Sequence, residues 1–180
     1  DFAKEKKAIP FAVFKPTGFG RFELYEKLGE KIQLTSAEQA EWNRVVERFD
    51  IVCKAAHDKD IVLRIDGEES WMQDAADDLV EEMMRKYNQQ KPIVFNTLQL
   101  YRWDRLDYLK KLHKQAKTKG FYIGMKLVRG AYMEKEIKRA EERAYSSHIC
   151  ASKEETDLYL DASGHVMIDT IDEMQIFAGT

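Results

Sequence analysis

Polar side chains follow several strand-like apolar runs in this 180-residue chain. Lys15 follows the first run, Asp66 follows the second, and Gln99 comes shortly after the third. Lys126 lies in the fourth run, and Thr180 follows the fifth. If these strands are parallel, their carboxyl ends share one edge of the sheet, where barrel enzymes build their active sites. A ring of cations, a carboxylate and an amide at that edge indicates a candidate catalytic site, although strand-end charges also cap helices or form structural ion pairs.

Lys15 and Asp66 form the first pair of interest, because they end strands that are expected to be neighbours. We expect them to meet as an ion pair in a cleft. Burial would shift both pKa values toward the neutral forms, and the opposite charge of the partner would oppose that shift. A purely structural ion pair is the alternative interpretation.

Other chemistries have little support in the sequence. Two cysteines that lie far apart argue against a disulfide or a zinc site, and no GxSxG or activated Cys/His pattern supports nucleophilic hydrolysis. A formal net charge of -3 argues against nucleic acid as the main partner. None of the four histidines is paired at metal-ligand spacing on one helix face: His57, His113, His148 and His165. We therefore expect no metal site.

Short apolar runs alternate with helical patterns along the chain, which is typical of parallel βαβ units. The predicted strands cover Ile9–Phe14, Ile61–Ile65, Pro92–Phe95, Phe121–Val128 and Met174–Ala178. The predicted helices cover Thr35–Ala56, Ser70–Tyr87, Asp104–Gly120, Met133–Tyr145 and Glu155–Ile171, the last interrupted by Gly164. Capping boxes are predicted at Thr35 with Glu38 and at Ser70 with Gln73, an N-cap at Asp104, and a C-terminal glycine cap at Gly120.

Two architectures fit this alternation, an open doubly wound sheet and part of a (β/α)8 barrel. The lone GxG at Gly18 and Gly20 is not the phosphate fingerprint of the open folds, so the barrel is favoured. The chain is thus predicted to be α/β, with residues 1–180 forming about the first five βα units of a parallel barrel domain whose later part is absent. No apolar run approaches the roughly 20 residues of a membrane span.

Five segments, in order, resemble motifs of the FAD-dependent proline dehydrogenases. They are Phe14–Gly18, Ile65–Ser70 (IDGEES), Phe95–Tyr101 (FNTLQLY), Lys126–Tyr132 (KLVRGAY) and Ile176–Thr180 (IFAGT). The fourth segment is the most specific. Together they are spread over nearly the whole length of the chain. The resemblance implies a variant (β/α)8 barrel with FAD across its carboxyl-terminal face.

The resemblance also implies residue roles in oxidising L-proline to 1-pyrroline-5-carboxylate by hydride transfer to flavin. Asp66 and Lys126 are the implied catalytic residues, and Lys15 and Tyr132 the implied substrate-binding residues. Asp66 would also hold Lys15. The implied FAD-binding residues are Asp66, Gly67, Gln99, Val128, Arg129, Gly130, Ala131 and Thr180.

The chain departs from the family pattern in three places. Gly67 stands where alanine is usual, and Lys126 stands where arginine is frequent, which keeps the charge but loses the bidentate fork. The third departure is the absence of an Arg-Arg pair, whereas the family carries an R-R-x-x-E motif that grips proline. We therefore expect the chain to be an incomplete fragment that cannot turn over proline with normal affinity.

Two other functions stay open on the sequence. A Schiff-base lyase or aldolase would use Lys15 or Lys126 as its nucleophile, and a half-barrel fragment would serve in assembly without catalysis. For the proline dehydrogenase interpretation the expected partners are L-proline and a quinone-type electron acceptor. The expected location is the bacterial cytoplasm, with peripheral attachment to the inner membrane as an option, or the mitochondrion in a eukaryote.

Overall fold

The computed structural model describes residues 10–179, which form one parallel sheet flanked by helices. The strands are β1 (Phe11–Phe14), β2 (Val62–Ile65), β3 (Val94–Gln99), β4 (Ile123–Val128) and β5 (Met174–Ala178). All pairings are parallel, and the strands lie in the order β1-β2-β3-β4-β5. The predicted α/β class is confirmed, since each strand pairs with the next along the chain as in the first five units of a (β/α)8 barrel.

Six helices connect these strands within the described part of the chain. They are α1 (Phe22–Gly29), α2 (Ser36–Asp58), α3 (Ser70–Tyr87), α4 (Arg105–Lys119), α5 (Met133–Arg143) and α6 (Lys153–Asp169), and a 3₁₀ turn covers Pro16–Gly18. Five of the helices were predicted, and α1 was not. The predicted interruption at Gly164 is wrong, because α6 continues through it.

The helix caps show which local signals were reliable. Thr35 accepts a hydrogen bond from the Glu38 amide while the Glu38 carboxylate accepts one from the Thr35 amide, so this capping box is confirmed. Gly120 ends α4 in the left-handed conformation, as predicted. The capping box at Ser70 is wrong, because Ser70 is already the first helical residue. Asp104 occupies the N-cap position of α4, but its carboxylate binds Arg102 rather than the helix amides.

Strong curvature brings the two outer strands of the sheet together. In a flat sheet β1 and β5 would lie about 19 Å apart, four spacings of about 4.8 Å. The inward-facing rings of Phe11 and Phe177, on β1 and β5, are nevertheless only 5.7 Å apart between centroids. The guanidinium of Arg64 on β2 stacks on both rings, with centroid distances of 3.5 and 3.2 Å. The sheet is therefore curled as in a barrel, and its inner face is a concave surface.

The apolar core lies on the outer face of the sheet, under α2, α3 and α4. Alternation along the strands sends Leu63, Ile65 and Met125 outward, where they join helix residues such as Phe49 and Met83. Cys53 belongs to this core, and it and Cys150 are free thiols. None of the helices described between residues 10 and 179 is long and apolar enough to cross a membrane.

Candidate active site

The inner face of the sheet carries polar side chains at its carboxyl end. Thr97 is in register with Lys126, and Gln99 with Val128, on the neighbouring strands β3 and β4. Because strand side chains alternate between faces, these four point to the same side. Local sequence therefore determines which residues face inward, and the curvature of the sheet brings them toward one another.

These side chains line a cavity of about 710 Å³, which is within the range of small-molecule and cofactor sites. Ten of the eleven predicted site residues line it: Lys15, Asp66, Gly67, Gln99, Lys126, Val128, Arg129, Gly130, Ala131 and Tyr132. The remaining one, Thr180, lies outside the described residues. Six further residues complete the lining: Thr97, Tyr101, Met133, Lys153, Thr156 and Gly179.

Asp66 forms its ion pair with Lys126, with 2.5 Å between Oδ1 and Nζ. The two side chains are 24% and 20% exposed, so the pair is shielded from solvent on most sides. This corrects the predicted pairing of Asp66 with Lys15. The reason is curvature, which lets a side chain of β4 reach across β3 to the end of β2. The pair fixes a cation and a carboxylate side by side in the cavity.

Lys15 instead donates a hydrogen bond to the phenol oxygen of Tyr132, over 2.8 Å. The pKa of Lys15 is raised, first by this hydrogen bond, against the opposing effect of burial and with help from the charges of Glu68 and Asp66. Lys15 is therefore a charged ammonium group at neutral pH. Tyr132 has a φ of 53°, a left-handed conformation that costs a residue with a side chain about 1–2 kcal/mol, so its position depends on surrounding contacts.

Gln99 is 1% exposed, and its amide orientation is fixed by contacts inside the protein. Its Nε2 donates to the carbonyl of Glu68 at 2.6 Å and to the phenol oxygen of Tyr101 at 2.8 Å. Its Oε1 accepts one long bond of 3.4 Å from Arg102, which leaves that oxygen capacity for another donor. Burial raises the pKa of the Tyr101 phenol, which therefore stays neutral.

Gly67 makes room for the Gln99 side chain. A Cβ at position 67 would lie 3.1 Å from Cγ and Cδ of Gln99, closer than nearly all contacts of this kind. The family resemblance leads one to expect alanine at this position. Glycine instead lets Gln99 pack closely on the loop that follows β2, the β2 loop. Alanine there would require Gln99 to shift by a few tenths of an ångström.

Arg129 lies at the rim, where its Nη1 binds Asp157 of α6 at 3.1 Å. Lys153 binds the same carboxylate at 2.8 Å. The pKa of Asp157 is lowered, first by the hydrogen bond from Lys153 and then by that from Arg129. Arg129 and Lys153 thus place two cations at the rim of the cavity, beside the ammonium group of Lys126 within it.

The lining of the cavity combines several cations with small residues. Across the described residues 10–179 there is no group of three or more His, Cys, Asp or Glu side chains placed to hold a metal. Gly130 keeps part of the lining open, because a Cβ there would meet only Met133, at 3.8 Å, whereas Gly67 and Gly179 make room for the side chains of Gln99 and Lys126. A planar anionic or electron-rich ring needs such an open surface with cations beside it.

Several residues that line the cavity were not predicted from the sequence. Thr97 and Gly179 could have been predicted from the alternation of strand side chains. Thr97 lies two residues before Gln99, and Gly179 lies two residues after Phe177, so each faces inward with that neighbour. Tyr101 is the last residue of the FNTLQLY segment, whose resemblance to the family pointed only to Gln99. Lys153 and Thr156 carry no signal in the sequence, since only the fold returns the start of α6 to this cavity.

Comparison with known proteins identifies the relatives of this chain. The sequence model of the proline dehydrogenase family matches residues 4–180. The carbapenem antibiotics biosynthesis protein CarD of Pectobacterium carotovorum subsp. carotovorum is 31% identical over 181 residues, covering 100% of this chain and 47% of that protein. The mitochondrial proline dehydrogenase 1 of Drosophila melanogaster is 38% identical over 128 residues, and that of Homo sapiens is 36% identical over 125. Those two alignments cover 71% and 69% of this chain, and 19% and 21% of the relatives.

The fold has a counterpart among solved structures. Proline utilization A from Bdellovibrio bacteriovorus, in a crystal structure of the protein inactivated by N-propargylglycine, superposes with a TM-score of 0.79 at 17% identity. The superposition covers 93% of this chain and 17% of that one. The chain spans less than half the length of each of these relatives.

Proposed function

The chain belongs to the proline dehydrogenase family, and on that premise we propose that its cavity is the flavin-binding part of a site that oxidises L-proline to 1-pyrroline-5-carboxylate. The observation that carries the proposal is the Asp66–Lys126 pair on the inner face of the curled sheet, beside Gln99 and below the Arg129–Tyr132 segment. FAD, when bound, supplies the hydride acceptor. The chain also forms, in this proposal, a single partial barrel domain over residues 1–180.

The residues of the chain would hold and orient the cofactor. Lys126, restrained by Asp66, would offer a cation to the negative charge that a flavin gains on reduction, and Arg129 would add a second cation at the rim. Gln99 offers Oε1 as an acceptor from a position held by three internal hydrogen bonds. Gly67, Val128, Gly130 and Ala131 give small or apolar surface for a ring system. Thr180 is proposed as a further contact on the resemblance alone.

Substrate binding would use Lys15 and Tyr132. The anionic carboxylate of proline needs a cation, and the raised pKa of Lys15 keeps its ammonium group charged at neutral pH. A bound carboxylate would share or replace the contact that Lys15 makes with the Tyr132 hydroxyl. Holding the substrate in this way would contribute orientation to the hydride transfer.

The same lysines argue against the Schiff-base alternative. A nucleophilic lysine needs a depressed pKa so that its amine is neutral near pH 7. The pKa of Lys15 is shifted in the opposite direction, and Lys126 is held by a carboxylate at 2.5 Å. The environment of Lys15 favours its charged form, and the amine of Lys126 is already engaged by Asp66.

Titration with FAD tests the proposal on the chain itself. We expect micromolar binding, seen as quenching of flavin fluorescence, and a weakening of about tenfold or more in Lys126→Met, since a charge-assisted contact contributes about 1.5–3 kcal/mol. Lys138→Met is the matched control, because Lys138 is 75% exposed on α5 and pairs with Glu142 outside the cavity. A folded chain that leaves flavin unbound would favour the non-catalytic fragment. Trapping of a carbonyl compound on a lysine by borohydride would favour the lyase.

Proline and an artificial dye acceptor extend the test to turnover. A chain that binds FAD but oxidises proline only with greatly weakened affinity would agree with the absence of an Arg-Arg pair in the sequence. A quinone-type physiological acceptor is proposed from the family resemblance. The two eukaryotic relatives are mitochondrial proteins by name, and we propose the same location for a eukaryotic source, with the cytoplasm or the inner-membrane surface for a bacterial one.

A further inference from the structure

Helix α5 follows the Arg129–Tyr132 segment and is held in place by polar contacts. Of its eleven residues, only Glu136 and Ala140 are buried. Arg139 binds Glu26 of α1 at 2.6 Å and Glu30, the C-cap of α1, at 2.9 Å. Its guanidinium lies 4.3 Å from the ring centroid of Trp71 on α3. An apolar core therefore does little to fix α5, and specific hydrogen bonds and ion pairs must do so.

Glu136 makes the most buried of these contacts. It is 2% exposed, and its two carboxylate oxygens accept the backbone N–H and the hydroxyl of Ser70, both at 2.6 Å. Ser70 is the first residue of α3, so its amide is one of the donors that a helix leaves without an internal partner. Glu69 occupies the N-cap position without capping through its side chain. A carboxylate from α5 thus caps α3, at the end where the helix dipole favours negative charge.

The contact joins two segments that line the cavity. Glu136 lies one turn after Tyr132, whose carbonyl accepts the Glu136 amide at 3.0 Å. Ser70 lies four residues after Asp66, at the end of the β2 loop. Lys135 reinforces the same junction by binding Glu69 at 3.1 Å. Because Tyr132 holds an unfavourable left-handed conformation, the contacts of the first turn of α5 must maintain it.

We propose that Glu136 is a positioning residue that locks the Arg129–Tyr132 segment onto the Asp66–Ser70 segment, and so sets the position of Tyr132 against Lys15. The role in catalysis rests on the proposed function, because it supposes that these two segments bind flavin and proline. The lock itself is a property of the fold and is tested without either ligand.

Glu136→Gln is the direct test, since glutamine keeps the shape but has only one acceptor oxygen for the two Ser70 donors. We expect the ring signals of Tyr132 in a ¹³C-tyrosine NMR spectrum to shift or broaden, and exchange of the hydrogen-bonded amides of Ser70 and Glu136 to rise at least tenfold. FAD affinity should fall by about tenfold. Ser70→Ala removes one of the two bonds from the other side, and it should reproduce part of each change.

Two controls separate positioning from general stability. Glu142→Gln makes the same change on the same helix at a side chain that is 62% exposed, and it should leave the Tyr132 signals unchanged. Leu112→Ala weakens the core on α4, and it should lower the stability of the fold without moving Tyr132. If Leu112→Ala moved the Tyr132 signals as far as Glu136→Gln does, Glu136 would be only a stabilising cap and the proposal would be wrong.

The outcomes for the lock and for the function differ. Unchanged Tyr132 signals and unchanged exchange in a folded Glu136→Gln chain would refute the lock whatever the flavin result. If Glu136→Gln does not fold, Ser70→Ala decides, and wild-type spectra from it would refute the lock. A wild-type chain that binds no FAD would refute the proposed function. The NMR and exchange measurements on Glu136→Gln would still test whether Glu136 positions Tyr132.

Discussion

The ion pair between Asp66 and Lys126 offers a quantitative test of the geometry of the cavity. Its atoms are 2.5 Å apart, and its side chains are about four-fifths buried. Fully exposed pairs contribute about 0–1 kcal/mol to the free energy of unfolding, whereas breaking a fully buried pair costs about 3–5 kcal/mol. With intermediate burial, we expect a coupling energy of about 2 kcal/mol between the two side chains.

A double-mutant cycle measures that coupling. Asp66→Asn, Lys126→Met and the double variant would be unfolded in urea and followed by circular dichroism, together with the parent chain. A parallel cycle on Lys138 and Glu142, an exposed pair at 3.8 Å on α5, should give about 0.5 kcal/mol or less. A coupling for Asp66 and Lys126 as small as that of the exposed pair would refute the reasoning. It would mean that solvent screens the pair, so that Lys126 is not a fixed charge in the cavity.

Three further predictions concern groups outside the cavity. The pKa of Glu38 is lowered to about 2, first by Lys27 and then by the Thr35 cap, so its contribution to stability should be present above about pH 4.5 and disappear as the pH falls toward 2. Glu38→Gln should remove that component from an acid titration of the unfolding free energy, and an unchanged titration would contradict the assignment. Burial raises the pKa of Cys53 to about 12, which lowers its thiolate fraction about a thousandfold, so iodoacetamide should label it only after unfolding. Asp77→Ala should cost about 3–5 kcal/mol of unfolding free energy in urea, because it leaves the guanidinium of Arg105, 2% exposed, without its carboxylate; a cost under 1 kcal/mol would show that Arg105 finds another partner.

The strands were predictable because short apolar runs bounded by polar turns are typical of strands buried on both faces of a parallel sheet. The run Met174–Ala178 is β5 as predicted, whereas the strand predicted to end at Phe95 continues in the structure to Gln99. The continuation was harder to see, since Asn96, Thr97 and Gln99 are polar residues inside a buried strand. They are tolerated because each is hydrogen-bonded, Thr97 to the Ile65 carbonyl and Asn96 to Asp77.

Local capping patterns were reliable only where no distant partner competed. Thr35 and Glu38 lie on an exposed turn and bind each other, as the pattern predicts. Ser70 and Gln73 have the same spacing, but both are buried. Ser70 binds Glu136, 66 residues away, and Gln73 binds the Glu68 amide and Asp77. A capping pattern in the sequence describes only residues that are close along the chain, whereas buried polar groups hydrogen-bond to residues that the fold brings close.

Helix α1 was missed for a related reason. Its N-cap, Arg21, makes no capping bond through its side chain, and the helix has only eight residues. Isolated helices of that length are marginal in water. Leu24 and Tyr25 hold it in the core, where the Tyr25 hydroxyl binds the carbonyl of Pro16. Tertiary burial, rather than a start signal, makes this segment helical.

The pairing of Asp66 follows from the same physics at larger scale. In a flat sheet β2 and β4 would be about 10 Å apart, so a β1 partner such as Lys15 is the reasonable expectation for Asp66. Curling turns the inward side chains toward a common axis. Residues two strands apart then meet, as Lys126 and Asp66 do, and residues four strands apart come into ring contact, as Phe11 and Phe177 do. The alternation of side chains along each strand thus determines which residues face inward, whereas the curvature of the sheet determines which of them pair. Any change that flattens the sheet should separate Lys126 from Asp66 before it exposes the core on the opposite face.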